Sequence, residues 1–312
     1  MIFDTESNYL CVFDFLGSKI LSDCINDGVP LFTHLNEELM FGLVNKREVS
    51  DFIFNSRLER DRVRFVQESA SLDVYDKGIG TSGNYIYKVN PKKVDDAIND
   101  GVTCIIEAYD ELSKGLNKVC VNIDMIFNCI SKANLYLTWG SKEGFGPHYD
   151  NHDVIVFQLF GSKTWSLWSS EGDGDGDGRC YGDVSKKDIK SEVKLNTGDV
   201  LYIPQGHWHN PVCNQSNSLH VTISVGHYSV NDYLGWVVRE LKDHIGGDIC
   251  DIKLSDINED QLTSVIRDRI NHILKEKSRF KKFLSDKSDE KTRTKKVNDF
   301  HRNSVLNKIN NL

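Results

Sequence analysis

At 312 residues with 39% apolar and 10% aromatic side chains, the chain can bury a substantial core, and disorder throughout is excluded. Asp4 and Glu6 stand where a secretory leader would need basic residues, and no stretch approaches the roughly 18 apolar residues of a membrane span, so a cytoplasmic protein is expected. The net charge of -8 is uneven: residues 275–308 hold 12 Lys/Arg against 5 Asp/Glu, a local +7 that leaves -15 for the remainder. The basic tail is expected to be a solvated face, and nucleic acid is not an expected partner.

The eight cysteines (Cys11, Cys24, Cys104, Cys120, Cys129, Cys180, Cys213, Cys250) are scattered, with no CxxC pair. That pattern suits a reducing compartment in which most serve as small core hydrophobes.

In chain order, residues 1–90 mix short apolar runs (Phe13 to Leu16, Asp51 to Phe54, Val63 to Val66) with charged stretches, and are expected to form an irregular α/β flank. Pro91 to Asn99 has helical spacing, Val102 to Glu107 is rich in β-formers, and Asp110 to Ile130 is again helical. Between Ala133 and Val225 come NLYLT, DVIVFQLF, KTWSLW, DVLYIP and SLHVTISV, punctuated by Gly, Asn, Asp and Pro. Many short strands with turn signals between them predict an antiparallel sandwich or barrel. Beyond Asn231 the period returns to that of a helix, with Leu262, Val265, Ile266, Ile270, Ile273 and Leu274 on one apolar face that must pack on the barrel or on a second subunit. The expected fold is therefore mainly β with flanking helices, a β-rich domain over 1–230 with an N-terminal α/β flank and a helical region over 231–312.

The loop EGDGDGDGRC (171–180) places Asp173, Asp175, Asp177 and Gly178 like the first half of an EF-hand. The twelfth position is Val184 where a bidentate Glu is needed, so an acidic hairpin loop is expected and not a calcium site.

The chemistry concentrates in GFGPHYDNHDVIVFQLFGSKTW (144–165). Alternation along a strand turns His148 and Asp150 to one side and Tyr149 to the other, which supplies one imidazole and one carboxylate of a facial triad. The third ligand must come from another strand, and GDVLYIPQGHWHNPV offers both His207 and His209, which share one parity. Such a triad leaves coordination positions open, as a closed structural zinc site does not. In KTWSLW, Lys163 shares parity with the bulky Trp165 and Leu167; an inward lysine is costly unless it meets an anion.

NLYLTWGSKEGFGPHYDNHDVIVFQLFGSKTWSLW, followed by GDVLYIPQGHWH and SLHVTIS, resembles the JmjC-type ribosomal oxygenases over about residues 90–228. These are 2-oxoglutarate-dependent protein hydroxylases built on a double-stranded β-helix, the cupin or JmjC jelly-roll barrel. The resemblance implies metal ligands at His148, Asp150 and His209, the last from Pro-x-Gly-x-x-His, here Pro204, Gly206 and His209. It implies a basic 2-oxoglutarate anchor at Lys163, the family's Asn-x-Tyr at Asn134 and Tyr136, and its last-strand Ser or Thr at Thr222 or Ser224. Fe(II), 2-oxoglutarate and O₂ follow as cofactor and co-substrates, with hydroxylation of a protein or peptide side chain as the expected activity. The same chemistry on a free amino acid, a natural-product intermediate or an N-methyl group is a second expectation, and a non-enzymatic metal-binding scaffold a third. Larger members of the family end in a winged-helix domain, whereas about 80 residues with helical spacing follow the barrel here. The family's helical dimerisation segment would correspond to the region from Asn231 to Leu284, which makes a homodimer possible. His152, His207, His220 and His227 are expected to line the barrel.

Overall fold

A computed structural model describes residues 1–4, 11–40, 42–54, 62–140, 144–168, 180–181, 191–213, 217–244, 253, 255, 258–275 and 278–287. The acidic loop at 171–179 and most of the basic tail, from 288 onward, lie outside the described residues. The chain divides into two compact units, Met1–Gly226 and His227–Leu312.

In the first unit the described elements are β1 (Ile2–Asp4), α1 (Val12–Leu16), α2 (Lys19–Asp27), β2 (Leu31–His34), α3 (Glu37–Met40), α4 (Lys46–Phe54), β3 (Val63–Gln67), β4 (Ala70–Leu72), β5 (Tyr75–Ile79) and β6 (Tyr85–Val89). Then come α5 (Pro91–Asn99), β7 (Thr103–Ile106), α6 (Lys114–Phe127), β8 (Cys129–Thr138), β9 (His148–Tyr149), β10 (Asp153–Leu167), β11 (Cys180–Tyr181), β12 (Ser191–Asn196), β13 (Asp199–Ile203), β14 (His209–Val212) and β15 (Ser218–His227). The helices predicted after residue 90 form where their ends are capped. Asn90 accepts from the Lys92 and Lys93 amides ahead of Pro91, and Ser113 accepts from the Leu116 amide. Helix α6 ends at Asn128 in the left-handed region, and buries Leu116, Val119, Cys120 and Ile123 along one face.

The larger sheet runs β1-β2-β13-β10-β15-β8-β7-β3-β4, and a smaller one joins β12, β14, β9 and β11 to the far half of β10. Strand β10 thus belongs to both walls: residues 153–161 pair with β13 and β15, and residues 162–167 with β12 and β14. Alternation sorts the core into two layers. Ile155, Phe157, Val221 and Ile223 pack with α6 on the helical side, while Val154, Val156, Trp165, Leu167, Leu195 and Leu201 fill the barrel. This is the double-stranded β-helix with flanking helices that the sequence predicts.

Two runs expected as separate strands, DVIVFQLF and KTWSLW, form one continuous strand. The Gly161–Ser162 signal marks a bulge instead of a turn: the register to β15 slips between Gln158 and Phe160, and Gly161 takes φ +67°. A side chain could not stand there, since a Cβ would run into the Asn217 carbonyl oxygen. The slip reverses the parity of the strand beyond it, so Val154 and Val156 on one side of the bulge and Lys163, Trp165 and Leu167 on the other are all buried.

The second unit contains α7 (Val230–His244), α8 (Glu259–Lys275) and a helical stretch over 279–287. Trp236, Val237 and Phe283 form its small core, with Tyr228 and Tyr233 against them. Around it, Glu240 accepts from Arg279 and Lys282 at 3.0 and 2.6 Å, and the Trp236 indole donates to Asp286 at 3.0 Å. Among the described residues no helix is long and apolar enough to cross a membrane.

Candidate active site

Strands β9 and β14 meet at a single antiparallel pair, His148 opposite His209. Asp150 follows directly after β9, and its position is tied to β14 by the turn that precedes that strand. The Gly206 amide donates to the Asp150 carbonyl at 2.9 Å, and the Gln205 amide donates to the Asp153 carboxylate at 2.8 Å. Gly206 sits at φ +77°, a conformation open to glycine, which gives the Pro-x-Gly-x-x-His spacing its physical reason. The turn also separates the two candidate histidines. His207 lies in it and not on a strand, so the parity that its spacing from His209 suggests does not exist in space; His209 is the one that reaches His148 and Asp150.

One donor atom from each of His148, Asp150 and His209 falls within 4.8 Å of the other two, and all three residues are buried. The His209 Nε2 atom stands 3.6 Å from the Asp150 carboxylate. Each histidine turns Nδ1 to a backbone carbonyl, His148 to Gly146 and His209 to His207, both at 2.9 Å. A ring nitrogen facing a carbonyl must carry the proton, so the lone pair of each ring is on Nε2, as a metal ligand requires. One carboxylate and two neutral imidazoles on adjoining strands are a donor set that fits a divalent iron with open positions.

The triad opens on a cavity, and Asn134, Tyr136, Lys163, Thr222 and Ser224 all line it. Lys163 is 5% exposed, and its ammonium donates to the Thr138 hydroxyl at 3.3 Å. Burial pushes its pKa from the ordinary 10.5 down to about 8. No carboxylate among the described residues pairs with Lys163, so the cavity holds a buried cation that suits an anionic ligand. The Asn134 side-chain oxygen accepts from the Ala108 amide at 2.9 Å, and the Ser224 hydroxyl donates to the Lys132 carbonyl at 3.2 Å. Tyr136 lies face to face with His220, ring centroids 4.9 Å apart and planes 5° from parallel.

Of the four histidines expected as lining, His152 and His220 line the cavity, whereas His207 is in the turn and His227 is exposed. Burial, reinforced by the Lys163 charge, holds the His220 pKa well below the ordinary value and keeps the ring neutral. Thr103, Thr138 and Trp165 belong to the surroundings of Lys163, although no motif in the sequence marks them as site residues. For Trp165 and Thr138 a signal exists, as each shares strand parity with a residue that a motif does mark: Trp165 with Lys163, Thr138 with Tyr136.

Residues 113–233, from α6 to the first turn of α7, match the family model of the JmjC domain. The chain carries a JmjC domain. The matched span includes every cavity and triad residue inferred from the sequence. Among relatives, the bifunctional lysine-specific demethylase and histidyl-hydroxylase NO66 of Drosophila grimshawi is 31% identical over 197 residues, 61% of this chain and 26% of that protein. The NO66 protein of Drosophila melanogaster is 39% identical over 116 residues, 35% of this chain and 18% of that protein. The chain spans about a quarter or less of these relatives' length. Among solved structures, the ribosomal oxygenase YcfD of Escherichia coli superposes with a TM-score of 0.51 at 14% identity, covering 84% of this chain and 69% of that one. The same protein solved with cobalt and succinic acid gives 0.50 at 14% identity, covering 85% and 69%. The JmjC domain therefore shares its fold with a ribosomal oxygenase, as the sequence resemblance implies.

Proposed function

We propose that the chain is an Fe(II)- and 2-oxoglutarate-dependent oxygenase that hydroxylates a side chain of a protein or peptide. One observation carries this reading: a buried His-Asp-His triad, with one donor atom of each side chain within 4.8 Å of the other two, opens on the same cavity as a buried lysine that no carboxylate among the described residues pairs with. His148, Asp150 and His209 would hold the iron, and Lys163 the far carboxylate of 2-oxoglutarate, with the Tyr136 hydroxyl sharing that carboxylate. Asn134, Thr222 and Ser224 would orient what is bound. When bound, iron and 2-oxoglutarate supply O₂ activation coupled to decarboxylation, which the protein side chains cannot supply themselves. The chain's own part is to fix the ligand tautomers through the Gly146 and His207 carbonyls and to exclude water around Lys163. A protein substrate is supported by the likeness to NO66, whose name describes lysine demethylation and histidyl hydroxylation, and by the fold shared with YcfD.

Purification without oxygen, loading with Fe²⁺ and measurement of succinate release from 2-oxoglutarate tests the reaction class. Incubation with cell extract and mass spectrometry for peptides one oxygen heavier tests the substrate class. No turnover with iron loaded would favour a metal-binding scaffold; turnover with small molecules alone would favour the second expectation. A homodimer is supported by the exposed Val230, Leu234 and Val238, spaced every four residues along α7, and light scattering tests it.

A further inference from the structure

Two buried nitrogens in the wall of the cavity have no hydrogen-bond partner among the described residues: His220 Nδ1 and Trp165 Nε1. Both residues are 2% exposed. Buried polar atoms are rarely orphaned, and these two share a cavity with an ammonium that no carboxylate among the described residues pairs with. His220 is clamped face to face on Tyr136, and its other neighbour is Trp165, edge-on with centroids 5.8 Å apart and planes at 82°. Trp165 is held in turn against His209, centroids 5.9 Å apart.

The bulge in β10 brings these groups together. Lys163 and Trp165 stand two residues apart on one face of that strand, and His220 comes from β15, which pairs with the other half of the same strand. Lys163, Trp165 and His220 thus line one cavity, and their wall carries a single positive charge, because burial beside Lys163 keeps His220 neutral. A carboxylate offers two oxygens and about four acceptor sites, and it brings the one negative charge that this wall lacks.

We infer that His220 and Trp165 bind the far carboxylate of the co-substrate together with Lys163, through His220 Nδ1–H and Trp165 Nε1–H. The inference rests on the reading of the chain as a 2-oxoglutarate oxygenase and adds two residues to it. Selectivity for a dicarboxylate then comes from a cradle in which two ring N–H donors join the Lys163 ammonium and the Tyr136 hydroxyl. The stacked Tyr136 is a positioning residue for His220, since it fixes the plane in which Nδ1 points.

The test is calorimetric titration of the full chain, loaded with Mn²⁺, against 2-oxoglutarate and against pyruvate, which has the same 2-oxo acid head and lacks the second carboxylate. His220→Phe and Trp165→Phe keep a ring in place and remove the nitrogen. Each is expected to weaken 2-oxoglutarate binding about tenfold while leaving pyruvate within about twofold of the parent. In the unsubstituted chain, 2-oxoglutarate is expected to move the Trp165 indole N–H proton resonance downfield, a measurement that needs no folded variant. Equal binding of 2-oxoglutarate by parent and both variants, equal loss of both ligands, or an indole resonance that stays in place overturns the inference and leaves the oxygenase reading standing. Failure of the parent to take up Mn²⁺ or 2-oxoglutarate removes both.

Discussion

His148 and His209 face each other across the one ladder pair that joins β9 to β14, and each gives its Nδ1 proton to a backbone carbonyl two residues earlier in the chain. The pair is thus fixed in tautomer before any ion arrives. Their rings stand 4.3 Å apart between centroids, and the Asp150 carboxylate completes the set, 3.6 Å from His209 Nε2.

Asp150→Ala leaves two neutral imidazoles and no anionic ligand. Metal affinity is expected to fall by more than about a hundredfold, beyond the usual cost of losing an outer-shell partner, and succinate release to vanish. Titration with Fe²⁺ or Mn²⁺ measures the first, and an unchanged circular dichroism spectrum would show that the barrel survives. Undiminished metal uptake would remove Asp150 from the site.

Gly161→Ala forces a side chain onto a left-handed residue and against the Asn217 carbonyl oxygen. A loss of more than about 3 kcal/mol is expected in urea unfolding, since strain and a backbone clash combine. A loss under about 1 kcal/mol would mean that the bulge is not needed to hold β10.

Lys163 makes stability and binding depend on pH in opposite senses. Its folded pKa is lowered to about 8 from 10.5, so between those values the unfolded chain holds more protons and the ligand-free fold gains stability as pH rises. The gain is on the order of 3 kcal/mol, and Lys163→Met should abolish it in melting curves recorded across that window. Binding of 2-oxoglutarate should weaken once pH passes the point where the ammonium is lost, and a bound carboxylate moves that point upward. Parent and variant melting with the same pH dependence would contradict the assignment.

Phe283→Ala opens a hole in the small core of the second unit, where Phe283 is 1% exposed between Tyr228, Tyr233 and Trp236. A cost of about 3–5 kcal/mol is expected, read as faster amide exchange in α7 and in residues 279–287.

The triad is legible in the sequence because each of its parts is local. Alternation pairs His148 with Asp150, and the spacing from Pro204 through Gly206 to His209 encodes a turn of defined shape. Asn134 and Tyr136, like Thr222 or Ser224, are marked only by the family resemblance and not by any period of their own. The features that escape a reading along the chain are non-local or break the two-residue period. The Gly161 bulge looks like a turn when the partner strand is out of view, and the Gly206 turn suggests a strand parity for His207 that does not hold. Within the N-terminal ninety residues β3–β4 and β5–β6 pair locally, whereas β2 and β3 are also held by distant strands. Leu31–His34 complete the larger sheet by pairing with Asp199–Tyr202, a relation that no window along the chain contains.

A single strand, β10, serves as a member of both walls of the barrel, with hydrogen-bonded neighbours on each side along most of its length. The barrel therefore cannot admit a substrate by parting like a clam, since separating the walls would tear the strand from one set of neighbours. Entry past the ends of the strands would leave both ladders intact. On the proposed reading, a peptide substrate would have to bring its reacting side chain to the triad with both ladders of β10 intact.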